Sequence, residues 1–301
     1  SGTINNGALC YDQSNNTFTH FNTSNGLQGN LVFSFEENKE QEVLIGTVTG
    51  VNIVNNKNVI RNCDYIPRQF YVAFRSMLIS SKNEQWFGSA DIGLYRYSNT
   101  YLRSFNLTNG LTNNSLMCLF EDRENNIWIG TDGSGVYKFL GEQFTSYSKK
   151  DGLPEDYVNA VAQSKSGAYW VALRNSGISK IENGTTTNYR FDRANQNAIP
   201  DNDILTILPL DDGRLFLGTR DGLCIYENGK FKTFDGNNFR HKYILSLFED
   251  SKKNIWIGTN DGLFMYSNGV ITDVKYANAM KQSEIDFSIF CIIEDKNNDI
   301  W

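Results

Sequence analysis

Short apolar runs separated by polar turns fill this chain, and one phrase among them recurs. It is an acidic turn followed by an aromatic-rich strand that closes on Gly-Thr. The phrase reads EDRENNIWIGT from Glu121 to Thr131 and EDSKKNIWIGT from Glu249 to Thr259. Weaker copies are EVLIGT from Glu42, EQWFGS from Glu84, AYWVAL from Ala168 and RLFLGT from Arg214. A final EDKNNDIW ends at Trp301, just where Gly-Thr would follow, and a Gly-Thr stands at Gly2-Thr3. The small residue of the phrase falls at Gly2, Gly46, Gly88, Gly130, Ala172, Gly218 and Gly258, at intervals of 44, 42, 42, 42, 46 and 40. Such a period marks either a propeller blade or a helical solenoid.

Strand signals decide between these. Each unit holds an apolar run such as SLMCLFED (Ser115 to Asp122), then the Trp-bearing run. A third run follows a Gly turn, as in GLFMY (Gly262 to Tyr266), and a fourth follows a two-residue turn, as in GKFKTF (Gly229 to Phe234). Asn-Gly at Asn183-Gly184, Asn228-Gly229 and Asn268-Gly269 suits tight hairpins, because both residues tolerate positive φ. No unit carries a long amphipathic helical stretch. The expectation is therefore all-β: one domain over residues 1–301, a seven-bladed β-propeller of four-stranded antiparallel blades. An open ring would leave a sheet edge exposed. The last blade is expected to close by pairing, with Phe287 to Trp301 giving an inner strand and part of a second, and Gly7 to Phe21 giving a third and fourth.

Composition agrees. The 301 residues include 25 Gly and 40 aromatics (20 Phe, 15 Tyr, 5 Trp) with only 4 Pro, a mix that favours strands and tight turns. Lys+Arg 28 against Asp+Glu 34 gives a net charge of -6, which disfavours a nucleic-acid binder. No apolar run is long enough to span a bilayer as a helix, so no membrane contact by this chain is expected. The five cysteines (Cys10, Cys63, Cys118, Cys224, Cys291) form an odd set without a CxxC pair and read as small buried hydrophobes. With histidine only at His20 and His241, neither a zinc cluster nor a Ser-His-Asp constellation can be argued. No metal, cofactor or catalytic residue is expected.

The residues that carry chemistry divide by whether they follow the repeat. The ED carboxylates (Glu121, Asp122, Glu249, Asp250, Glu294, Asp295) resemble a glycosidase pair only until their recurrence is noticed. One active site does not need symmetric copies, so hairpin capping is the better reading. Trp86, Trp128, Trp170, Trp256 and Trp301 share one repeat position and read as packing between blades rather than as sugar platforms. Asp201-Asn202-Asp203 and Asp211-Asp212-Gly213 lack the spacing of a calcium loop. Positions that break the repeat are the candidates for binding. After the second strand, where most units have Asp, Asn or Gly, stand Arg174 and Arg220. Ahead of the inner strands stand Arg68, Tyr71, Tyr157, Arg240, His241, Tyr243 and Phe287. These two loop sets share one face of a propeller, and cations with rings there suit an acidic or sugar-like ligand. The long connection from Arg190 to Asp203 is placed to flank such a site.

At the inner run, ED turn, NIWIGT, DGL and aromatic run, the sequence resembles the two-component regulator propeller repeat. It is most similar over Asn113 to Tyr147 and His241 to Ser267, with further matches at Asn25-Gly26-Leu27, Asn109-Gly110-Leu111 and Asp151-Gly152-Leu153. It departs at Val43-Leu44 and at Val171-Ala172-Leu173. The resemblance implies the periplasmic sensor region of a hybrid two-component system of gut Bacteroidetes. Such sensors carry two propellers, a small β-sandwich, a membrane span, a histidine kinase and a receiver with a DNA-binding end. On that reading the chain is a fragment of a longer sensor. It binds a glycan fragment, works alongside other domains of the same protein, and acts as a homodimer. The competing readings are a structural protein-interaction propeller and a propeller glycosidase or lyase.

Overall fold

The computed structural model describes all residues except 1, 4, 56–59, 67–71, 99–100, 142, 196, 235–241 and 275–287. Seven four-stranded antiparallel sheets follow one another around a ring. Blades 1 to 6 span residues 32–62, 74–105, 116–147, 158–189, 204–233 and 244–273, each running from inner to outer strand. Blade 3 shows the pattern: Leu116–Glu121, Ile127–Thr131, Val136–Phe139 and Phe144–Tyr147. One 3-10 turn at Lys149–Asp151 is the only helical element among the described residues.

Blade 7 closes the ring from both ends of the chain. Ile289–Cys291 is its inner strand, Gly2–Thr3 lies second, and Ala8–Asp12 and Thr17–Phe21 are third and fourth. Ile300 bridges Tyr11 and Glu294, so the C-terminal residues lie in the same second-strand position as Gly2–Thr3. The register matches the other blades. Gly130 of blade 3 pairs with Cys118 and Val136, and Gly2 pairs with Cys291 and Ala8. The two terminal segments therefore share one strand between them, with Gly2-Thr3 in the place where the phrase ending at Trp301 would continue.

The blades are joined by a single repeated seat. At the centre of each second strand stands one large side chain: Leu44, Trp86, Trp128, Trp170, Phe216, Trp256 and Trp301. Each is buried in its own apolar cluster against the following blade. Trp86 packs on Leu116 and Ile127 of blade 3, and Trp301 on Val32 and Phe35 of blade 1. Burying a side chain of this size contributes about 2–3 kcal/mol. The small residue two positions on has the complementary role. A Cβ at Gly2 would meet Cys291 Sγ at 2.6 Å and Val32 Cγ1 at 2.7 Å, so glycine there lets the next inner strand approach.

A polar clamp orients the tryptophans. Asp122 accepts from Trp128 Nε1 at 2.7 Å, from the backbone of Glu124 and Asn126, and from Asn126 Nδ2. Asp250 and Asn254 repeat this around Trp256, and Asp295 takes Trp301 Nε1 at 2.9 Å. Burial alone would raise the Asp122 carboxyl, yet the donors from Trp128, Asn126 and Tyr169 hold it below the usual range. The preceding glutamates tie blades together: Ser81 donates N–H and hydroxyl to Glu121, as Ser251 does to Glu294. The ED carboxylates are structural caps, and the tryptophans are inter-blade packing, as their recurrence indicates. The cysteines carry no disulfide, and burial pushes the thiols of Cys10, Cys118, Cys224 and Cys291 up to about 12 and that of Cys63 up to about 11.

Blade 7 departs from the clamp at one residue. Asp299 stands where Asn126 and Asn254 donate an amide N–H to the clamp carboxylate. Burial, then the neighbouring Asp295 and Asp12, push its carboxyl from 3.8 to about 6. The folded chain thus holds this proton more tightly than the unfolded chain. This group's contribution to stability is full below about pH 4 and is lost as the pH rises through about 6. Asp299→Asn is expected to raise the Tm at pH 7.5 by a few degrees while leaving it nearly unchanged at pH 4. Thermal melts of both proteins across that range check the difference.

Candidate functional site

On one face of the ring, two repeat positions meet in each of blades 1 to 6. The residue after the second strand donates its backbone N–H to the residue before the inner strand: Val48 to Leu31, Ala90 to Ala73, Asp132 to Ser115, Arg174 to Tyr157, Arg220 to Asp203 and Asn260 to Tyr243. The backbone frame is the same throughout, but the side chains are not. Blades 1 and 2 present Leu31, Val48, Ala73 and Ala90, whereas blades 3 to 6 present acids, cations and rings. At these paired positions the face is apolar in blades 1 and 2 and polar in blades 3 to 6.

Across blades 3 to 6, neighbouring blades are linked in series. Arg174 Nη1 lies 3.0 Å from Asp132 Oδ1 of the preceding blade, with its guanidinium 5.3 Å from the centroid of the Tyr157 ring. Asn175 N donates to Asp203 Oδ1 at 3.4 Å, and Asn159 Nδ2 reaches the same oxygen at 3.3 Å. Arg220 Nε meets the other oxygen, Asp203 Oδ2, at 2.6 Å, and its guanidinium sits 5.7 Å from the ring of Tyr243 in the next blade. Asn260 Oδ1 accepts from the backbone of Tyr243 at 2.9 Å. Asp132, Arg174 and Tyr157 thus continue through Asn175 and Asp203 to Arg220, Tyr243 and Asn260 as one arc.

Burial within the arc is graded. The Asp203 side chain is 3% exposed, whereas Tyr157 and Tyr243 are 42% and 43% exposed. The carboxylates form the floor, and the rings with the outer edges of the guanidinium groups form the open surface. Arg174 and Arg220 are each matched to a carboxylate, so among the described residues the arc has no unbalanced arginine. Of the two ligand kinds expected for these residues, acidic or sugar-like, planar Arg–Asp pairs beside aromatic rings suit the second, with its many hydroxyls and apolar face.

Of the residues singled out from sequence, Arg174, Arg220, Tyr157 and Tyr243 come together in this arc. Arg68, Tyr71, Arg240, His241 and Phe287 lie outside the described residues. Sequence reasoning missed Asp132, Asn159, Asn175 and Asn260, and it weighed Asp203 only as a calcium candidate. The signal that finds Asp132 is its repeat position, one blade ahead of Arg174. In the long connection from Arg190 to Asp203, Ile199 anchors into the cluster between blades 4 and 5, which sets Asp203 in place. No group of three or more His, Cys, Asp or Glu able to hold a metal ion occurs among the described residues.

Fold and face together define a seven-bladed propeller with Arg–Asp pairs and aromatic rings gathered on one face. Among known families, the profile described as two component regulator propeller matches residues 110–133 and 238–261. These two stretches contain the Asp–Asn–Trp clamps of blades 3 and 6. The chain therefore carries the two-component regulator propeller repeat. No curated protein matches the sequence. Among solved structures, the chain is similar to catalytically inactive virginiamycin B lyase from Staphylococcus aureus with quinupristin. That likeness has 14% identity and a TM-score of 0.68, over 89% of this chain and 93% of the other. It is also similar to the computationally designed Ika8 protein, at 15% identity and a TM-score of 0.65, over 100% and 92%. The extracellular domain of the putative hybrid two-component system BT3049 from B. thetaiotaomicron aligns at 18% identity and a TM-score of 0.49, over 92% of this chain and 50% of that one. At these identities the likenesses show the fold alone.

The two arginines differ in what their loss exposes. Arg220→Ala strands the buried Asp203 carboxylate and is expected to cost about 2–3 kcal/mol of unfolding free energy. Arg174→Ala leaves a partly exposed Asp132 and is expected to cost under about 1 kcal/mol. Urea unfolding of the two variants tests the order, and Arg220→Ala with Asp203→Ala together should recover part of the loss.

Proposed function

We propose that this chain is a non-catalytic, ligand-sensing propeller of a hybrid two-component system, and that the arc across blades 3 to 6 receives its ligand. The observation that carries the reading is the polarised face. Blades 3 to 6 of an otherwise repetitive ring bear linked Arg–Asp pairs and half-exposed tyrosines, while blades 1 and 2 bear small and apolar residues at the same positions. The scaffold does not need this asymmetry, because the backbone bonds beneath are alike in both sets of blades. The two-component regulator propeller repeat at 110–133 and 238–261 supports the sensing role.

The ligand class follows from the charge balance of the arc. A glycan fragment offers hydroxyl pairs to the edges of Arg174 and Arg220 and an apolar sugar face to Tyr157 and Tyr243. On this reading the chain is a periplasmic piece of a longer sensor. It is joined to other domains and to a membrane-linked histidine kinase, and works in a homodimer. Signalling then requires that the ligand bind one arrangement of that assembly more tightly than the other.

Calorimetry with a panel of neutral and uronic oligosaccharides tests the proposal. Binding is expected from a neutral fragment, and no new reducing ends are expected on prolonged incubation. Tyr157→Ala and Tyr243→Ala should each weaken that binding at least about tenfold with little change in Tm, since half-exposed rings contribute more to contact than to the core. Cleavage of the panel, or unchanged affinity in both variants, would overturn it.

A further inference from the structure

An aspartate receives the indole N–H in blades 3, 6 and 7 but not in blade 2, where Ser80 stands at the position of Asp122, Asp250 and Asp295. The backbone there is unchanged. Ser80 N donates to Glu84 O at 2.9 Å and Asn83 N to Ser80 O, as Asp122 N does to Asn126 O and Asn125 N to Asp122 O. What is missing is the carboxylate itself. Trp86, only 1% exposed, has its Nε1 without a partner, and the Nε of Arg96 is likewise buried and unpartnered. Buried N–H groups of this kind are rare and call for an acceptor.

Both donors line the same space. A groove of about 220 Å³ opens between blades 2 and 3, and Ser80, Trp86 and Arg96 are among its walls. Blade 3 shows what such a space holds. Lys138 pairs with Trp128 across the strands as Arg96 pairs with Trp86. There the Asp122 carboxylate sits 2.7 Å from the indole Nε1 and 3.8 Å from Lys138 Nζ. In blade 2, Arg96 lies over the Trp86 ring at 5.4 Å, so a cation and an indole N–H flank the vacated position in the same way. The acids nearby already have partners and leave both orphaned N–H groups without an acceptor. Glu84 pairs with Arg96 Nη2, Glu121 takes Ser81, and Glu124 accepts from Gln163 and Tyr169. Ile127, Phe139 and Leu140 supply an apolar wall beside the donors. Trp170 has a similar orphaned indole beside Ser164, and Lys180 is held by Glu182 as Arg96 is by Glu84, but no orphaned cation nitrogen accompanies that indole.

We propose that the groove between blades 2 and 3 binds a short-chain monocarboxylate. Its carboxylate takes the place filled by aspartate in blades 3, 6 and 7, accepting from Trp86 Nε1 and Arg96 Nε, and its alkyl end lies on the apolar wall. The site is separate from the arc, since it is built from the turns after the inner strands, at the opposite end of the blades. Affinity for so small a ligand is millimolar.

Indole N–H signals of the ¹⁵N-labelled chain, with Trp86→Phe assigning the relevant one, report on the site during titration with acetate and propionate against equal chloride. The Trp86 signal is expected to shift saturably with the carboxylates and not with chloride, while those of Trp128 and Trp256 stay in place. Ser80→Asp supplies the acceptor within the chain, so it should abolish the response and raise the Tm. If that variant does not fold, Arg96→Met, which copies Met265 of blade 6, should weaken the response at least about tenfold. A Trp86 signal unmoved by carboxylate, or moved equally by chloride, would overturn the proposal and leave water as the acceptor. An undiminished response in Ser80→Asp or Arg96→Met would overturn it too.

Discussion

Everything in this ring depends on one contact made seven times, the seating of a large second-strand side chain against the inner strand of the next blade. Sheets in a propeller share no strand hydrogen bonds with their neighbours, so blade-to-blade cohesion comes from buried area and the few ties laid over it. Five of the seven seats are tryptophans, held in three blades by an aspartate that also caps the turn beneath. The ED turn and the aromatic strand are therefore a single device, which explains why they recur together in the sequence. The same contact closes the ring, because Trp301 seats on blade 1 as Trp128 does on blade 4.

Once the scaffold is held by a repeated device, departures from the repeat carry the specific information. On one face the departures are additions: rings and Arg–Asp pairs on a backbone that blades 1 and 2 share without them. At the opposite ends of the blades the departure in blade 2 is a deletion, which leaves the Trp86 indole N–H and the Arg96 Nε without an acceptor. Pseudo-symmetry makes both legible, since every blade is an internal reference for every other. Asp299 is a third departure, charged where two other blades have an amide.

The architecture could be read in the sequence almost entirely. Period, turn chemistry and register at Gly2 and Trp301 suffice to count seven blades and to pair the ends, because strand registers are set by local patterns that survive in one dimension. The site was legible only in part. Arg174 and Arg220 stand out as cations at a repeat position, and Tyr157 and Tyr243 as rings. Their pairing with Asp132 and Asp203 does not stand out, because Arg174 reaches 42 residues back to the preceding blade and Arg220 reaches 17 residues back across its own blade. That pairing favours the sugar-like over the acidic of the two ligand kinds that the residues suggest. A sequence can show that a charge is present; whether it is already neutralised is a property of the fold.

The most direct test of the polarised face is amide hydrogen exchange of the chain with and without a bound oligosaccharide. Protection is expected to increase in the segments around Asp132, Tyr157, Arg174, Asp203, Arg220 and Tyr243, with the equivalent segments around Leu31, Val48, Ala73 and Ala90 unchanged. Protection spread evenly over all seven blades, or confined to blades 1 and 2, would contradict the account.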